Sequence, residues 1–294
     1  MKPITDSQAI QMGLGAVALW STVATAFSVS LDYLTPLQLV LIASCVSWCF
    51  FCVRLVKPRR RDALLKSSTP ERIKCLTLGL INPGVYYLIL FSAYDQLPTQ
   101  EAMAINYSWG ITMALLAVPL LKQTISGFGL SATGVSYLGV LIIATRGAPA
   151  SLQFAQPTGA TLAILSTLIW SFYWLLNSKL TLDAEVALFL NFSGALPLLF
   201  GITLLVGDDF NMTWQGLLGG IYVGLFEMGI AFVLWITAMK ATSSTLKISS
   251  LIFLSPPLSL IFIWLVLGEP IQPYTLVGLG LILFGIWMQH RLGP

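Results

Sequence analysis

The sequence predicts an all-α membrane protein: ten transmembrane helices forming two inverted five-helix repeats around a central cavity. Three observations predict it. Of 294 residues, 56% are hydrophobic and only 9% charged, where a soluble domain carries about 25% charged residues. The apolar residues gather into ten stretches near the length of about 20 that a helix needs to cross a bilayer; barrel strands would be about 10 residues long and alternate in polarity. The chain also looks written twice. Leu19-Trp20-Ser21 recurs as Ile169-Trp170-Ser171, and the stretch from Ala93-Tyr94 to Trp109-Gly110-Ile111-Thr112-Met113-Ala114-Leu115 has a counterpart from Ala238-Met239 to Ser255-Pro256-Pro257-Leu258-Ser259-Leu260. The matches come in the same order, with a small insertion or deletion between them. Each half holds an odd number of spans, so the halves, 1–150 and 151–294, have opposite orientations in the membrane.

The expected spans are roughly 9–30, 36–56, 73–95, 101–121, 128–145, 159–180, 185–206, 214–239, 245–267 and 272–289. The first is read as a span and not a cleaved signal, because it is long, lacks a small-residue cleavage site and precedes nine more. The second is followed by the longest polar stretch, Lys57 to Lys74, too short for a domain of its own. Pro83, Pro197, Pro256 and Pro257 fall inside spans, with Gly84 and Gly110 nearby. Proline removes a backbone hydrogen bond and kinks a helix. The fifth span is short and rich in Gly, Ser and Thr. Gly216, Gly219, Gly220 and Gly224 give the eighth a thin face for close helix contact.

Charge sets the orientation. With the N-terminus inside, Lys2, the cluster Arg54, Lys57, Arg59, Arg60, Arg61, Lys66, Arg72 and Lys74, then Lys122, Lys179, Lys240, Lys247 and Arg291 all fall on the inner side, and Arg146 alone falls outside. Lys and Arg resist translocation, so both termini are expected in the cytoplasm. The basic loop is read as topogenic and is too short to bind nucleic acid.

No metalloprotease His-Glu-x-x-His, no Gly-x-Ser-x-Gly and no phosphate-binding Gly loop occurs, so nothing points to an enzyme or an ATP-driven pump. Cys45, Cys49 and Cys52 share one face of the second span, with Cys75 at the start of the third; His290, the single histidine, is remote. They are read as apolar packing and not as a metal site. No cofactor is implied.

Polar groups at membrane depth are costly and face the interior or a wet cavity. Glu227 lies midway along its span between Phe226 and Met228. A carboxyl is hard to keep charged there, so it is a candidate proton carrier; the structural alternative is a fixed ion pair or hydrogen bond to a neighbouring span. Lys247, beyond the polar run Thr242-Ser243-Ser244-Thr245, is its natural partner or a ligand for a solute carboxylate, unless it snorkels to the inner interface. Asp95, Glu101 and Glu269 sit at span ends. The first two are expected in solvent and the third in a structural role. Tyr86, Tyr87, Tyr107, Trp109, Trp170, Tyr173, Trp174 and Trp235 fall well inside spans, away from the interfacial belts. Any one of them fits a core; together with Trp20, Asn106 and Asn177 they suggest an aromatic-lined cavity. The expected solute contacts are Trp20, Tyr87, Asn106, Tyr107, Trp109, Trp170, Tyr173, Asn177, Trp235 and Lys247.

At these residues the chain resembles the drug/metabolite transporter superfamily, in its ten-span EamA branch, along nearly its whole length. Leu19-Trp20-Ser21, Ile169-Trp170-Ser171 with Tyr173 and Asn177-Ser178-Lys179, and the run from Leu254-Ser255-Pro256 to Leu267-Gly268-Glu269 carry the likeness. Asn106-Tyr107-Ser108-Trp109-Gly110 is similar to the Asn-Tyr-Leu-Trp-Pro signature of the aromatic amino acid exporters, with Ser108 for leucine and Gly110 for proline. Glu227-Met228-Gly229 departs from those exporters, which are apolar there. The resemblance implies export of small organic solutes across the bacterial inner membrane. The sequence thus leads to a secondary exporter of amino acids or similar metabolites, working by alternating access in a lipid bilayer. A facilitator without proton coupling is a variant, and a non-transporting scaffold or receptor is the reading from another class.

Overall fold

A computed structural model describes residues 4–122, 126–151, 154–207, 212–242, 248 and 251–292. Among them there is no strand. The helices are α1 (Asp6–Leu31), α2 (Pro36–Leu55), α3 (Pro58–Lys66), α4 (Thr69–Gly79), α5 (Tyr86–Gln96), α6 (Thr99–Asn106), α7 (Trp109–Leu121), α8 (Gly127–Ala144), α9 (Pro157–Asn177), α10 (Ala184–Val206), α11 (Trp214–Tyr222), α12 (Ala231–Ala241), α13 (Leu251–Leu267) and α14 (Pro273–Leu292). Counting Thr69–Gln96, Thr99–Leu121 and Trp214–Ala241 as single interrupted helices, eight are long and apolar enough to cross a membrane; Leu251–Leu267 and Pro273–Met288 are apolar but shorter. The ten apolar stretches therefore all appear as helices, eight of them of spanning length.

Local sequence fixes the starts. Thr5 and Gln8, Thr35 and Gln38, and Ser68 and Glu71 form reciprocal capping boxes, the last two with proline in the first turn. Ser126, Asp183 and Thr213 cap α8, α10 and α11 with their side-chain oxygens. Helix α3 occupies what the sequence presents as a polar loop. It is too polar to read as a span, yet Pro58 starts it and it buries no residue fully.

The chain forms two compact units. The first holds residues 1–84 and 181–267. In it α1 packs on α12 and α13, α2 on α10 and on the 223–230 segment, and α10 on α4. The α4–α10 crossing is a backbone contact. A Cβ on Gly79 would overlap the carbonyl of Asn191, and one on Gly194 the carbonyl of Leu76, so only glycine permits that approach. Glu185 at the start of α10 is 8% exposed. It accepts from Arg54 Nε at 2.8 Å and Nη2 at 3.0 Å, and from Arg60 Nη2.

The second unit holds residues 85–180 and 268–294. Here α9 packs on α5, α6 and α7, and α8 on α14. Gly139 and Gly278 bring α8 and α14 into backbone contact, and Ser136 Oγ donates to Ile282 O at 3.0 Å. Glu101 is 2% exposed, which corrects its expected solvation. Its Oε1 accepts from Arg146 Nε at 2.9 Å and from Tyr274 OH at 2.8 Å. A buried carboxylate keeps its charge only with such partners. Arg146, the one cation expected outside, is thereby accounted for. Asp95 is exposed as expected. Glu269 accepts from Gln100 Nε2 at 2.9 Å, in keeping with its structural reading.

Candidate functional site

The expected site residues fall into two groups, one in each unit. In the second unit the group is built on α9. Ser166, Trp170, Tyr173, Trp174 and Asn177 recur at helical spacing and share one side of the helix. Tyr86, the first residue of α5, lays its ring 4.6 Å from that of Trp170 and 4.7 Å from that of Tyr87. Trp170 is 5.5 Å from Trp174, which is 5.4 Å from Tyr173. Tyr87 and Tyr173 are 1% and 0% exposed; they support the cluster, while Trp170 and Trp174 are half-buried. Ring pairs of this kind prefer tilted and edge-on contact, and the result is a stiff aromatic wall.

The fourth span is interrupted inside the motif that resembles the exporter signature. Helix α6 ends at Asn106, α7 starts at Trp109, and Tyr107 and Ser108 form the turn between. Three polar links hold this turn to α9. Asn106 Nδ2 donates to Ser166 Oγ at 2.9 Å, Ser171 Oγ donates to Trp109 O at 3.0 Å, and the Thr112 and Thr167 hydroxyls are 3.2 Å apart. Asn106 and Trp109 thus act at least partly as framework. Gly110 leaves just enough room for Ile286, which a Cβ there would approach to 3.3 Å. Asn177 differs: its Oδ1 is buried and has no hydrogen-bond partner among the described residues.

In the first unit Trp20 packs its ring 5.3 Å from Trp235 and 5.8 Å from Phe232. Trp235 also rests on the cluster of Ala9, Ala238 and Ile248. Two residues beyond Trp20, the Thr22 hydroxyl lies 2.7 Å from Tyr222 OH. Glu227 is 8% exposed. It sits in Val223–Ile230, a stretch wound more loosely than an α-helix, with the i→i+5 bonding of a π-helix. Such segments are rare and gather at functional sites. Ser47 of α2 pins it by donating to Gly224 O at 2.8 Å, and Gly224 lies against the carbonyl of Ala43. Lys247 lies outside the described residues.

The loosened turn has a counterpart. Thr69–Gln96 and Trp214–Ala241 are both 28 residues long, and Asn82 stands as far from the start of the first as Glu227 does from the start of the second. Asn82 takes φ −140° and ψ 120°, breaking the helix before Pro83. Its side chain is 5% exposed, and its Oδ1 is without a partner among the described residues. Trp20 and Trp170, from the repeated tripeptide, each pack on aromatic residues that follow such an interruption. Sequence reasoning named the prolines as kinks but missed this pairing; the order of the repeated motifs was the signal that held it.

A family model described as EamA-like transporter family matches the chain twice, over residues 7–145 and 157–289. The chain belongs to the EamA-like transporter family. It is a multi-pass membrane transporter of the drug/metabolite transporter superfamily. An uncharacterized transporter of Archaeoglobus fulgidus is 22% identical over 94% of this chain and 96% of its own. A probable terminal-alkyne amino-acid exporter of Streptantibioticus cattleyicolor is 24% identical, covering 97% of this chain and 94% of its own. Protein PecM of Dickeya dadantii is 26% identical over 70% and 69%. One solved crystal structure shares the fold with a TM-score of 0.67 at 22% identity, covering 97% of each chain.

Proposed function

We propose that this EamA-family transporter is a secondary exporter of amino acids or similar small metabolites. It would have ten spans in two inverted five-helix repeats, both termini in the cytoplasm, and act by alternating access in a bacterial inner membrane. The observation that carries the reading is Glu227, a carboxyl buried in a loosened turn midway along a span. A group there gains and loses a proton as the site opens to either side. Trp170 and Trp174, with Asn177, supply an aromatic face and an amide for a solute, and Trp20 and Trp235 supply an aromatic face in the other unit. Lys247 is assigned to the solute carboxylate. Similarity to an amino-acid exporter supports the substrate class.

The energetics suffice. One charge crossing 100 mV is worth about 2.3 kcal/mol, and each tenfold solute gradient requires about 1.4 kcal/mol. The test is purified protein in proteoliposomes, given a mixed amino acid panel with an imposed pH gradient. Accumulation of at least one amino acid that collapses with the gradient is the expected result. Movement of solute down its gradient alone would make the protein a facilitator, and no movement or counterflow of any solute would overturn the reading.

A further inference from the structure

The basic stretch after α2 sorts its cations into two kinds. Some are turned inward. Arg60 donates to Glu185 of α10, as Arg54 does. Arg72 of α4 donates from Nη2 to the carbonyls of Leu64 at 2.8 Å and Leu65 at 3.0 Å, and from Nε to Ser67 Oγ at 2.9 Å. It thereby satisfies the last turn of α3, where a helix leaves carbonyls without partners. Arg60 and Arg72 thus hold α3 against the rest of the first unit. The others are turned outward. Lys57, Arg59, Arg61 and Lys66 are exposed and enter no ion pair or side-chain hydrogen bond among the described residues. Asp62, the one carboxylate on α3, is exposed as well, so four cations face it. A loop that only sets topology works through its charge and needs no fold. This one is folded, clamped near both ends, and keeps its free cations on the outside.

The level at which α3 lies follows from connectivity. Two residues, Val56 and Lys57, link it to α2, and two, Ser67 and Ser68, link it to α4. Pro36–Leu55 and Thr69–Gln96 are both of spanning length. Each end of α3 is therefore within about 10 Å of the end of a span, and α3 runs along the membrane surface rather than out from it. Apolar side chains stand among its cations: Val56 is 75% and Leu65 67% exposed. Cations beside exposed apolar side chains on a surface helix suit the boundary between headgroups and acyl chains. Charge then selects the lipid. A helix is about 10 Å across, close to the screening length at about 0.1 M salt, so cations on either flank of α3 feel the charge of the leaflet.

We propose that α3 is a docking surface for anionic phospholipid headgroups, bound by Lys57, Arg59, Arg61 and Lys66. The assignment does not depend on what the protein transports. The full chain is placed in nanodiscs of phosphatidylcholine, alone or mixed with phosphatidylglycerol, and backbone hydrogen exchange is followed by mass spectrometry. Phosphatidylglycerol is expected to slow exchange in residues 57–68 about threefold or more. Residues 32–35, which carry no cation, are expected to exchange alike in both lipids. Raising NaCl from about 0.1 M to about 1 M cuts the screening length from about 10 Å to about 3 Å and is expected to remove the difference. Each variant is compared with itself in the two lipids. Lys57→Gln, Arg59→Gln, Arg61→Gln and Lys66→Gln together are expected to abolish the slowing. Should that protein fail to insert, Arg59→Gln with Arg61→Gln decides: it keeps the Arg60–Glu185 pair and is expected to lose about half of the slowing or more. Equal exchange of 57–68 in the two lipids overturns the proposal and would leave this face to an acidic soluble partner. Equal slowing at 32–35, full slowing in the double variant, or the same slowing by free glycerol phosphate over phosphatidylcholine overturns it too.

Discussion

Asn82 and Glu227 hold the same place in two helices of equal length, and their surroundings differ in an instructive way. Around Asn82 the helix is broken: the backbone turns extended before Pro83, whose ring cannot donate a hydrogen bond. Around Glu227 the helix is only widened; the residues flanking the segment, Tyr222 and Ala231, keep right-handed helical angles. Both breaches bury a polar side chain, an amide in one half and a carboxyl in the other. The repeat keeps the breach and changes the residue. Only one of the two groups can titrate, so proton coupling, if the proposed function holds, belongs to one half of a two-fold design.

That contrast fails if Glu227 is a framework carboxylate of the kind Glu185 is. Glu185→Ala is expected to have the largest effect, because it strands two guanidinium groups: about 3 kcal/mol of stability, measured as thermal unfolding in detergent, with the pH dependence of transport by the folded fraction unchanged. Glu227→Gln should do the reverse. Stability stays near wild type, while the accumulation ratio in proteoliposomes falls by as much as about fifty-fold, the gradient that one charge at 100 mV sustains, and counterflow exchange partly survives. Unchanged accumulation in that variant would make Glu227 structural. The aromatic clusters sharpen the comparison further. Trp170→Ala removes contacts with Tyr86, Tyr173 and Trp174 and is expected to raise KM about tenfold, against about threefold for Trp20→Ala, as ring pairs worth about 0.5–1.5 kcal/mol imply. KM values unchanged from wild type in both variants would place both tryptophans in the core. Asn82→Ala should matter least, slowing transport about twofold at every pH without moving the pH midpoint, because an amide does not titrate and its Oδ1 has no partner among the described residues to lose.

The helices and the doubled plan were legible because hydropathy over about 20 residues and the recurrence of Leu19-Trp20-Ser21 are local patterns. The aromatic sets were legible for a related reason, since rings at helical spacing along α9 share a side wherever that helix is placed. The ion pairs were not. Arg54 meets Glu185 across 131 positions, and nothing near either residue announces the other. Glu101 was misjudged because its position at a span end suggests water, whereas Arg146 and Tyr274 close over it from distant parts of the chain. Helix α3 was missed because an amphipathic turn so rich in arginine reads as loop. Lys247, the expected partner of Glu227, lies outside the described residues.

The Arg54–Glu185–Arg60 cluster also bears on how the protein is made. The two arginines are synthesised early, and in the proposed topology their charge favours the cytoplasmic side for the loop after the second span. Their carboxylate is not yet built. At about 5–20 residues per second, the ribosome adds the intervening stretch in on the order of ten seconds. For that interval the nascent chain carries two guanidinium groups with no counterion of its own, exposed to water or lipid headgroups. When Glu185 emerges, it ties the start of α10 to a loop that has been waiting since the first half was inserted. A chain stopped before residue 185 therefore lacks the one carboxylate that both arginines bond in the finished fold.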